Sequence, residues 1–411
     1  MKKIIFVLVI SMVFIGWSYW KGDPDNINLN PGISGESDRI LVKFYPGTKD
    51  KDEIIKSHGL VKIGDVLKGK WSVIKVPKWK KASRVLNELL QDRRVVWAEI
   101  DQKAWIVGEV VPNDTLFGQQ WYLKNRGTIT GSVEGADVKA TYGWDYTKGD
   151  ENLTIAVVDT GVDYTHPDLE NKVIKGYDFV NTDSDPMDDH GHGTMVAGIA
   201  GAQSNNGEGI AGVCWNCKIL AIKVLDSGGM GYYSWIADGI EYAVDQGAKV
   251  INISAGGTGP GIVLEDALDY AWRNNVVVVA AAGNESRQLL YPAAYSPKCI
   301  SVGATDYADE RAHFSNFGPN LDISAPGVEI VSTFPGGTYA VGNGTSFATP
   351  IVSGAAALLL SLKPNLTPDQ VRKTLLFTSD DVNSTSLPGF DYYLGYGRLN
   401  LQTLFSPIHL E

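Results

Sequence analysis

The chain has 411 residues, of which 44% are hydrophobic and 20% are charged, a composition typical of globular proteins and a length sufficient for two domains. Its 3 cysteines exclude a scaffold built on disulfides. The formal net charge of -11 is uneven, since residues 39–107 carry 16 basic and 8 acidic side chains whereas residues 108–411 carry 17 and 35. The acidic excess of the larger part disfavours nucleic acid as a partner. The opposite charges either attract the two parts to each other or belong to two independently solvated surfaces.

The first residues have the features of a targeting segment. Lys2 and Lys3 precede a short apolar run at residues 4–15, which is the pattern of a secretory signal and is short for a membrane span. Because no Ala-x-Ala site follows, residues 1–20 are either a cleaved signal peptide or an uncleaved N-terminal anchor. Both alternatives place the rest of the chain outside the cytoplasm. Residues 21–38, rich in Gly, Pro, Asn and Asp, are predicted to be a flexible linker.

Residues 39–107 are predicted to form a small α+β domain. Strand-like runs and helical patterns alternate in the order βαββαβ, which is that of a ferredoxin-like domain. No catalytic pattern of Ser, His, Cys or carboxylates occurs in this segment, so taken alone it is a binding or structural module. The predicted strands are 39–45, 61–67, 71–76 and 95–100, and the predicted helices are 50–57 and 82–90.

Residues 108–411 are predicted to form a larger α/β domain. Its apolar runs are rich in Val and Ile and show little alternation, which indicates strands buried on both faces, and helical patterns separate them. This arrangement predicts a doubly wound, mostly parallel sheet with functional sites at the carboxyl ends of the strands. The predicted strands are 154–158, 219–224, 250–254, 276–282 and 299–303, and the predicted helices are 193–202, 234–246, 263–274, 346–363 and 368–377.

Four polar residues stand in segments of small residues within this domain. Asp159 ends a buried strand, His192 begins a helix, Asn284 follows another strand, and Ser346 precedes a long Ala-rich helix. Acyl transfer needs these groups: a nucleophilic hydroxyl, a base, a carboxylate that orients the base, and a donor for the oxyanion. Each residue alone has an ordinary structural explanation, such as a helix cap or a turn. A zinc site on His190 and His192 is a weaker alternative, since no further ligand lies at suitable spacing.

These motifs resemble those of the subtilisin-like serine proteases (subtilases), and the resemblance covers residues 113–404. It implies that Ser346 is the nucleophile and His192 the general base and acid, with Asp159 orienting His192. It also implies that Asn284 and the backbone N–H of Ser346 form the oxyanion hole. A catalytically silent subtilase-like binding protein and a selective processing protease are the alternatives to a digestive endopeptidase.

The same resemblance implies the substrate-binding residues. Two segments correspond to the walls of the S1 pocket, and a third corresponds to the edge that pairs with an extended peptide substrate. Because both walls carry only small residues, we expect a roomy pocket that accepts large apolar or aromatic P1 side chains, with Glu285 at the rim able to attract Lys or Arg. The residues concerned are Ser254, Ala255, Gly256, Ala281, Ala282 and Gly283 in the walls and Gly229 and Gly231 at the edge.

Calcium is the expected metal. Five aspartates between residues 178 and 189 would repel one another unless a hard cation lies between them or the loop is fully solvated. The resemblance implies two structural calcium sites away from the triad. The first would use Asp114, Asp168 and Asn206 with backbone oxygens of Gln203, Glu208 and Ile210. The second would use Asp178, Asp183 and Asp185.

The resemblance also gives the small domain a role. It corresponds to a propeptide that assists folding and inhibits the enzyme until it is removed, with residues 102–107 as a tail in the active cleft and self-cleavage between residues 105 and 111. Cys214 and Cys217 either form a local disulfide or remain thiols, and Cys299 is left over. We expect a secreted monomer that acts on peptides and proteins and has its own propeptide as its inhibitor.

Overall fold

The structure, a computed structural model, describes residues 38–101 and 108–406. These residues form two compact units, one on each side of residues 102–107. The predicted signal or anchor at residues 1–20, the linker up to residue 37 and the predicted propeptide tail at residues 102–107 lie outside the described residues.

The smaller unit contains two helices and an antiparallel four-stranded sheet with the strand order β2-β3-β1-β4. Its elements follow the predicted order βαββαβ. Ile54 and Ile55 of the first helix and Val85 and Leu89 of the second are buried with strand residues such as Ile40 in one apolar core. The elements are β1 (Arg39–Phe44), α1 (Lys51–Ser57), β2 (Val61–Val66), β3 (Trp71–Lys75), α2 (Ala82–Gln91) and β4 (Val95–Ile100).

The larger unit is built on a seven-stranded sheet. Its helices and strands, in chain order, are α3 (Ala140–Tyr146), β5 (Thr154–Asp159), β6 (Val173–Asp178), α4 (His192–Gly201), β7 (Lys218–Lys223), α5 (Tyr233–Asp245), β8 (Val250–Ile253), α6 (Ile262–Arg273), β9 (Val277–Ala281), β10 (Ile300–Thr305), β11 (Ile323–Pro326), β12 (Ile330–Phe334), β13 (Thr338–Gly342), α7 (Thr345–Leu362), α8 (Pro368–Phe377) and α9 (Leu401–Leu404).

All neighbouring strands of this sheet are parallel, in the order β11-β10-β9-β8-β5-β7-β6. The order confirms the predicted doubly wound sheet; β12 and β13 form a separate antiparallel hairpin. Alternate side chains of β5 enter different cores. Ile155 and Val157 pack with α4 and α7, whereas Ala156 and Val158 pack with α5 and α6. Helices therefore cover both faces, and the strand order reverses beside β5, where α/β sheets open a crevice at the carboxyl edge.

The helix α7 passes through the core of the larger unit. Within residues 38–101 and 108–406 it is the one helix long and apolar enough to span a membrane, and 83% of it is buried. Burial on all sides explains its largely apolar composition and its lack of charged residues, since a core helix has no need of a polar face. Its N-terminal end carries Ser346 at the carboxyl edge of the sheet.

Candidate active site

Asp159 and His192 meet at the carboxyl end of β5. Asp159 is the last residue of this strand and His192 is the first residue of α4, and the His192 Nδ1 lies 2.7 Å from the Asp159 Oδ1. Since an ionised carboxylate only accepts hydrogen bonds, Nδ1 carries the proton and Nε2 is left with its lone pair. Asp159 is fully buried, and its Oδ1 also accepts a hydrogen bond from the Thr160 N–H at 2.7 Å. The imidazole is thus held in the tautomer that a general base requires.

The electrostatics of the pair favour proton uptake by His192. Burial by itself lowers the pKa of His192, but the charge of Asp159, their hydrogen bond and the charge of Asp188 outweigh it and raise this pKa above 6.5. The neutral imidazole therefore predominates only at pH values above that raised pKa. Once protonated, the ring is stabilised by the carboxylate behind it.

Asp188 holds the start of α4 in place. Its carboxylate accepts hydrogen bonds from the backbone N–H groups of Gly191 at 2.8 Å and Thr194 at 2.9 Å, and from the Thr160 hydroxyl at 2.8 Å. Gly191 has a φ of 107°, and a Cβ there would lie 2.3 Å from the ring of Phe334. Asp188 is one of the five aspartates of the acidic loop, and in the structure it orients the helix that begins with His192.

Ser346 and Ser254 are joined by two hydrogen bonds. The Ser346 Oγ donates to the Ser254 carbonyl at 3.0 Å, and the Ser254 Oγ donates to the Ser346 carbonyl at 2.8 Å. Pro350 explains the second bond, because it lacks the N–H that would otherwise bond the Ser346 carbonyl within α7. Among the described residues, no hydrogen bond joins the Ser346 Oγ to His192. Such bonds often form only when substrate is bound, so the lack of this bond does not contradict the predicted roles of the two groups as nucleophile and base.

Asn284 lies beside Ser346 with its amide fixed in one orientation. The Asn284 Oδ1 accepts hydrogen bonds from the Thr345 N–H at 2.8 Å and the Thr345 hydroxyl at 3.0 Å. The Nδ2 is left as a donor at the N-terminal end of α7, 3.4 Å from where a Cβ on Gly344 would lie. A side-chain N–H and free backbone N–H groups of a helix terminus are the donors that stabilise an oxyanion. Together, the four residues can perform acyl transfer.

The sequence profile described as the subtilase family matches residues 150–397 of the chain. The chain belongs to this family. A thermophilic serine proteinase from Bacillus sp. (strain AK1) is 44% identical over 376 residues, covering 90% of this chain and 86% of that relative. Thermitase from Thermoactinomyces vulgaris is 43% identical over 290 residues, covering 70% of this chain and 97% of thermitase. A solved protease structure from Pseudoalteromonas arctica has a TM-score of 0.63 and 31% identity, covering 71% of this chain and 98% of that one.

This subtilase is a serine endopeptidase. A cleft with a volume of about 400 Å³ lies beside its His192. The lining includes both predicted edge residues and the first predicted S1 wall, whereas Ala281, Ala282 and Gly283 are not among the residues that line it. The predicted residues that line it are Gly229, Gly231, Ser254, Ala255 and Gly256.

Leu290 lies between the two predicted walls of the S1 pocket. A Cβ on Gly256 would lie 3.0 Å from the Leu290 Cβ, and one on Gly283 would lie 2.7 Å from its Cγ. The walls themselves are small, as predicted, but this side chain reduces the space between them. The sequence offered no signal for it, because Leu290 reaches both walls only when the chain folds back after Gly283, where the Leu290 N–H donates to the Ala282 carbonyl at 2.9 Å.

Glu285 is engaged by its neighbours. Its Oε2 accepts hydrogen bonds from the Asn284 N–H at 3.1 Å and the Asn316 Nδ2 at 2.9 Å. The carboxylate therefore helps to hold the segment that carries Asn284. This arrangement weakens the expectation that Glu285 attracts a basic P1 side chain.

The first predicted calcium loop brings its two carboxylates into one region. Asp168 is fully buried and accepts hydrogen bonds from the Asn206 Nδ2 at 3.1 Å and the Ile210 N–H at 2.9 Å. The Asp114 Oδ2 accepts from the Asn205 N–H at 2.8 Å, but its buried Oδ1 has no hydrogen-bond partner among the described residues. Burial raises the pKa of Asp114, and the charge of Asp168 adds to the increase. A desolvated carboxylate oxygen beside a second carboxylate fits a hard cation.

The remaining predicted ligands of this loop are backbone oxygens. Gln203 and Glu208 lie in the same loop as Asn206, and Ile210 ends it. No group of three or more His, Cys, Asp and Glu side chains at metal-binding spacing occurs in residues 38–101 and 108–406. A calcium ion here would therefore depend on amide and carbonyl oxygens as well as carboxylates, which calcium accepts.

The second predicted calcium loop has its carboxylates engaged. The Asp178 oxygens accept from the N–H groups of Val180 at 2.7 Å and Asn181 at 2.9 Å and from the Asn181 Nδ2 at 2.8 Å. The Asp183 Oδ1 accepts from the Asp185 N–H at 2.8 Å, and Asp185 itself accepts from the Tyr164 hydroxyl. Asp183 and Asp185 each accept one of these hydrogen bonds, which leaves their other carboxylate oxygens available, so the second ligand set stays a prediction.

Cys214 and Cys217 form a disulfide, and Cys299 is a buried free thiol. The sequence left the first pair open between a disulfide and two thiols. Burial raises the pKa of the Cys299 thiol well above its ordinary value, so this residue is an unreactive part of the core.

Proposed function

We propose that this subtilase hydrolyses peptide bonds through Asp159, His192 and Ser346 and is made as a self-processing, calcium-stabilised zymogen that acts outside the cell. The observation that carries the proposal is the 2.7 Å contact between His192 and Asp159, together with the position of Ser346 in the first turn of the helix Thr345–Leu362. In the reaction, the Ser346 hydroxyl attacks the scissile carbonyl while the His192 Nε2 takes its proton. Asn284 and the Ser346 N–H stabilise the oxyanion, the proton passes to the leaving amine, and water then hydrolyses the acyl-enzyme.

A fluorophosphonate probe tests the nucleophile directly. The probe should attach covalently to Ser346 in the mature enzyme, as shown by mass spectrometry of the labelled peptide. Protein that is denatured before the probe is added should not be labelled, because the serine is activated only beside its base. Labelling at another residue would assign the nucleophile elsewhere, and a folded protein without any labelling would be the silent binding protein.

The oxyanion role of Asn284 gives a separate prediction. Asn284→Leu should lower kcat by about 10²–10³-fold, or about 2.7–4 kcal/mol, with little change in KM, because the donor acts mainly in the transition state. Steady-state kinetics on a chromogenic peptide measure this loss. Asn320→Leu removes an exposed amide elsewhere in the same unit and should keep full activity. Equal losses in the two variants would remove Asn284 from the mechanism.

The zymogen proposal rests on the character of the N-terminal unit. Its sheet exposes large apolar side chains at Val61, Ile63, Val96 and Trp97, which are 60%, 48%, 38% and 53% exposed. Large exposed apolar side chains are candidate contacts with a partner, and the basic charge of residues 39–107 complements the acidic remainder of the chain. We propose that residues 39–107 bind the peptidase as an inhibitor, with residues 102–107 in the cleft, until the chain cleaves itself between residues 105 and 111.

Calcium is proposed at the loop that contains Asp114 and Asp168, where it would stabilise the fold away from the triad. Chelation should lower the melting temperature by roughly 5 °C or more, since a ligand at 100 times its Kd contributes about 2.7 kcal/mol. Differential scanning calorimetry with and without EDTA measures the shift. Asp114→Asn should remove most of the difference, whereas Asp178→Asn should preserve it. An unchanged melting temperature in EDTA would refute a stabilising calcium ion.

The specificity proposal is a broad preference for apolar P1 residues, with Leu290 limiting their size. Leu290→Ala should raise kcat/KM for aromatic P1 substrates relative to alanine P1 substrates by about 10-fold or more, because methylene-sized changes in an apolar pocket contribute about 1–3 kcal/mol. A peptide library that varies only at P1 measures this ratio. Leu289→Ala, next in the chain but buried in the core, is the control. An unchanged ratio would show that Leu290 does not bound the pocket.

An extracellular location is proposed from the N-terminal apolar run, the disulfide and the relatives. Local disulfides are typical of oxidising compartments. A cell wall-associated protease from Bacillus subtilis (strain 168) is 44% identical over 324 residues, covering 73% of this chain and 36% of that relative. We propose that the mature enzyme acts there as a monomer on peptides and proteins.

A further inference from the structure

A second cleft of the larger unit shares no lining residue with the cleft beside His192. Its volume is about 750 Å³, and Thr147, Ser361 and the loop closed by the Cys214–Cys217 disulfide contribute to its walls. Neither the proposed triad nor the proposed calcium loop gives this cleft a function. Its lining contains buried polar groups, and buried polar groups in proteins normally have a hydrogen-bond partner.

Two of these groups are hydrogen-bond donors. The Lys172 side chain is 6% exposed and its Nζ donates to the Trp215 carbonyl, which accounts for one of its three protons. Trp215 is 7% exposed, and its Nε1 has no hydrogen-bond partner among the described residues. An indole N–H can only donate, and an ammonium group can only donate. Both groups therefore need an acceptor.

The protein itself supplies no negative charge to Lys172. Among the described residues no carboxylate forms an ion pair with it, and the Asp150 Oδ1 at the rim is taken by the N–H and Nδ2 of Asn152, each at 2.9 Å. Lys218 adds positive charge, while its own Nζ donates to the Asn171 carbonyl at 2.8 Å. Burial, and then the charge of Lys218, lower the pKa of Lys172 to about 7. An added negative charge would reverse this effect.

We propose that the cleft binds a small anion between the Lys172 ammonium and the Trp215 indole N–H. The donor character of both groups excludes a metal cation. Gln203 also lines the cleft with a buried, unpartnered Oε1, and a half-turn of its amide would offer Nε2 to the same anion. The other ionisable groups of the region are Asp150, Glu151, Lys218 and Lys148, whose Nζ lies 5.5 Å from the centre of the Trp215 ring.

The disulfide keeps this site in one geometry. Trp215 lies between the two linked cysteines, and its ring centre is 4.7 Å from that of the fully buried Trp144. Gly149 packs on the disulfide so closely that a Cβ there would lie 2.3 Å from the Cys214 Sγ. A donor held in place before binding loses little entropy when the anion arrives. The site shares no residue with the triad, and of the residues predicted to bind calcium only Gln203 lines it; calcium would use the backbone oxygen of Gln203, whereas the anion would use its side-chain amide.

Bromide is the probe for this site. Crystals of the full chain grown with sodium bromide should show an anomalous peak within hydrogen-bonding distance of the Lys172 Nζ and the Trp215 Nε1. In solution, below the pKa of about 7 of Lys172, bromide should raise the melting temperature in a saturable way relative to sodium gluconate at equal ionic strength. Lys172→Met should abolish this increase, and Trp215→Phe should shift it to higher bromide concentration.

Two matched variants control for unspecific effects. Lys175→Met removes a lysine that lies over the Tyr164 ring, and Trp235→Phe removes an indole that packs on Tyr232; both should keep the bromide response of the parent. Should Lys172→Met fail to fold, Trp215→Phe still decides, since it removes mainly the N–H. The proposal is overturned by a cleft that holds only water in bromide-grown crystals, or by a saturable response that survives in both cleft variants.

Discussion

Replacing Ser346 with alanine is expected to lower kcat by about 10⁶-fold, the loss found when the nucleophile of the related subtilisin is removed. The residual rate would come from Asn284 and substrate binding, which do not need the hydroxyl. The variant should also accumulate as an uncleaved precursor, because the proposed maturation is self-cleavage. Burst kinetics with an activated ester and the mass of the purified chain measure the two effects.

The structure offers a control on the same helix. Ser361 lies near the end of α7, where its hydroxyl donates to the Leu358 carbonyl at 2.7 Å, so Ser361→Ala should mature and cleave peptides normally. A trace of active enzyme added to the Ser346→Ala precursor should cut it in trans if the maturation bond is accessible. Processing of the purified Ser346→Ala chain at the parental rate, without added enzyme, would refute both the nucleophile and the self-processing proposal.

Much of the fold could be predicted because the local signals agree with each other. The sequence predicted a helix at residues 368–377, and the structure places one at Pro368–Phe377 with Thr367 and Gln370 forming a capping box at its start. The continuous apolar strands of the sheet centre were likewise found within a residue or two. The missed strands of this sheet lie at its edges: Val173–Asp178 is partly exposed, and Ile323–Pro326 contains a proline, which an edge strand tolerates. The separate hairpin of β12 and β13 was missed as well.

The site was less predictable than the fold, because its geometry depends on contacts between remote segments. Motif order pointed to Asp159, His192 and Ser346, but nothing local indicates that the Ser254 hydroxyl bonds the carbonyl that Pro350 leaves free. Thr345 fixes the Asn284 amide across 61 positions. Such contacts arise only when the sheet aligns the ends of its strands.

In the acidic loop at residues 178–189, the number of aspartates alone did not predict how their charges are compensated. A sequence lists carboxylates but does not show which backbone N–H groups will satisfy them. Asp188 accepts hydrogen bonds from backbone N–H groups at the start of α4. The Asp189 Oδ1 forms an ion pair with the Nζ of the fully buried Lys223 at 2.6 Å. Asp178 is satisfied by its own turn. Repulsion among the aspartates is therefore relieved largely by hydrogen bonds and one buried lysine.

Removal of the Asp159 carboxylate, which accepts the hydrogen bond from His192, is expected to cause the second large loss of activity. Asp159→Ala should lower kcat by about 3 × 10⁴-fold, as for the corresponding residue of subtilisin, because the imidazole loses its orientation and the charge that stabilises its protonated form. The pKa of His192 should also change in this variant. In the parent, Asp159 raises the pKa of His192 above its ordinary value against the opposing effect of burial, and activity is lost as the pH falls through that raised pKa. Without Asp159, the acid limb of the kcat profile should move to lower pH.

Asp159→Asn separates the two contributions of the carboxylate. The Thr160 N–H donates to the Asp159 Oδ1 at 2.7 Å, and it should select the oxygen of the asparagine amide for the same position. That oxygen can still accept from the His192 Nδ1, so the tautomer is kept while the charge is lost. The asparagine variant should therefore show a smaller downward shift of the His192 pKa than the alanine variant, because it loses the charge but keeps the hydrogen bond, and it should also show a smaller loss of kcat. Equal losses of kcat would show that charge alone matters, and an acid limb unmoved in both variants would refute the coupling between Asp159 and His192.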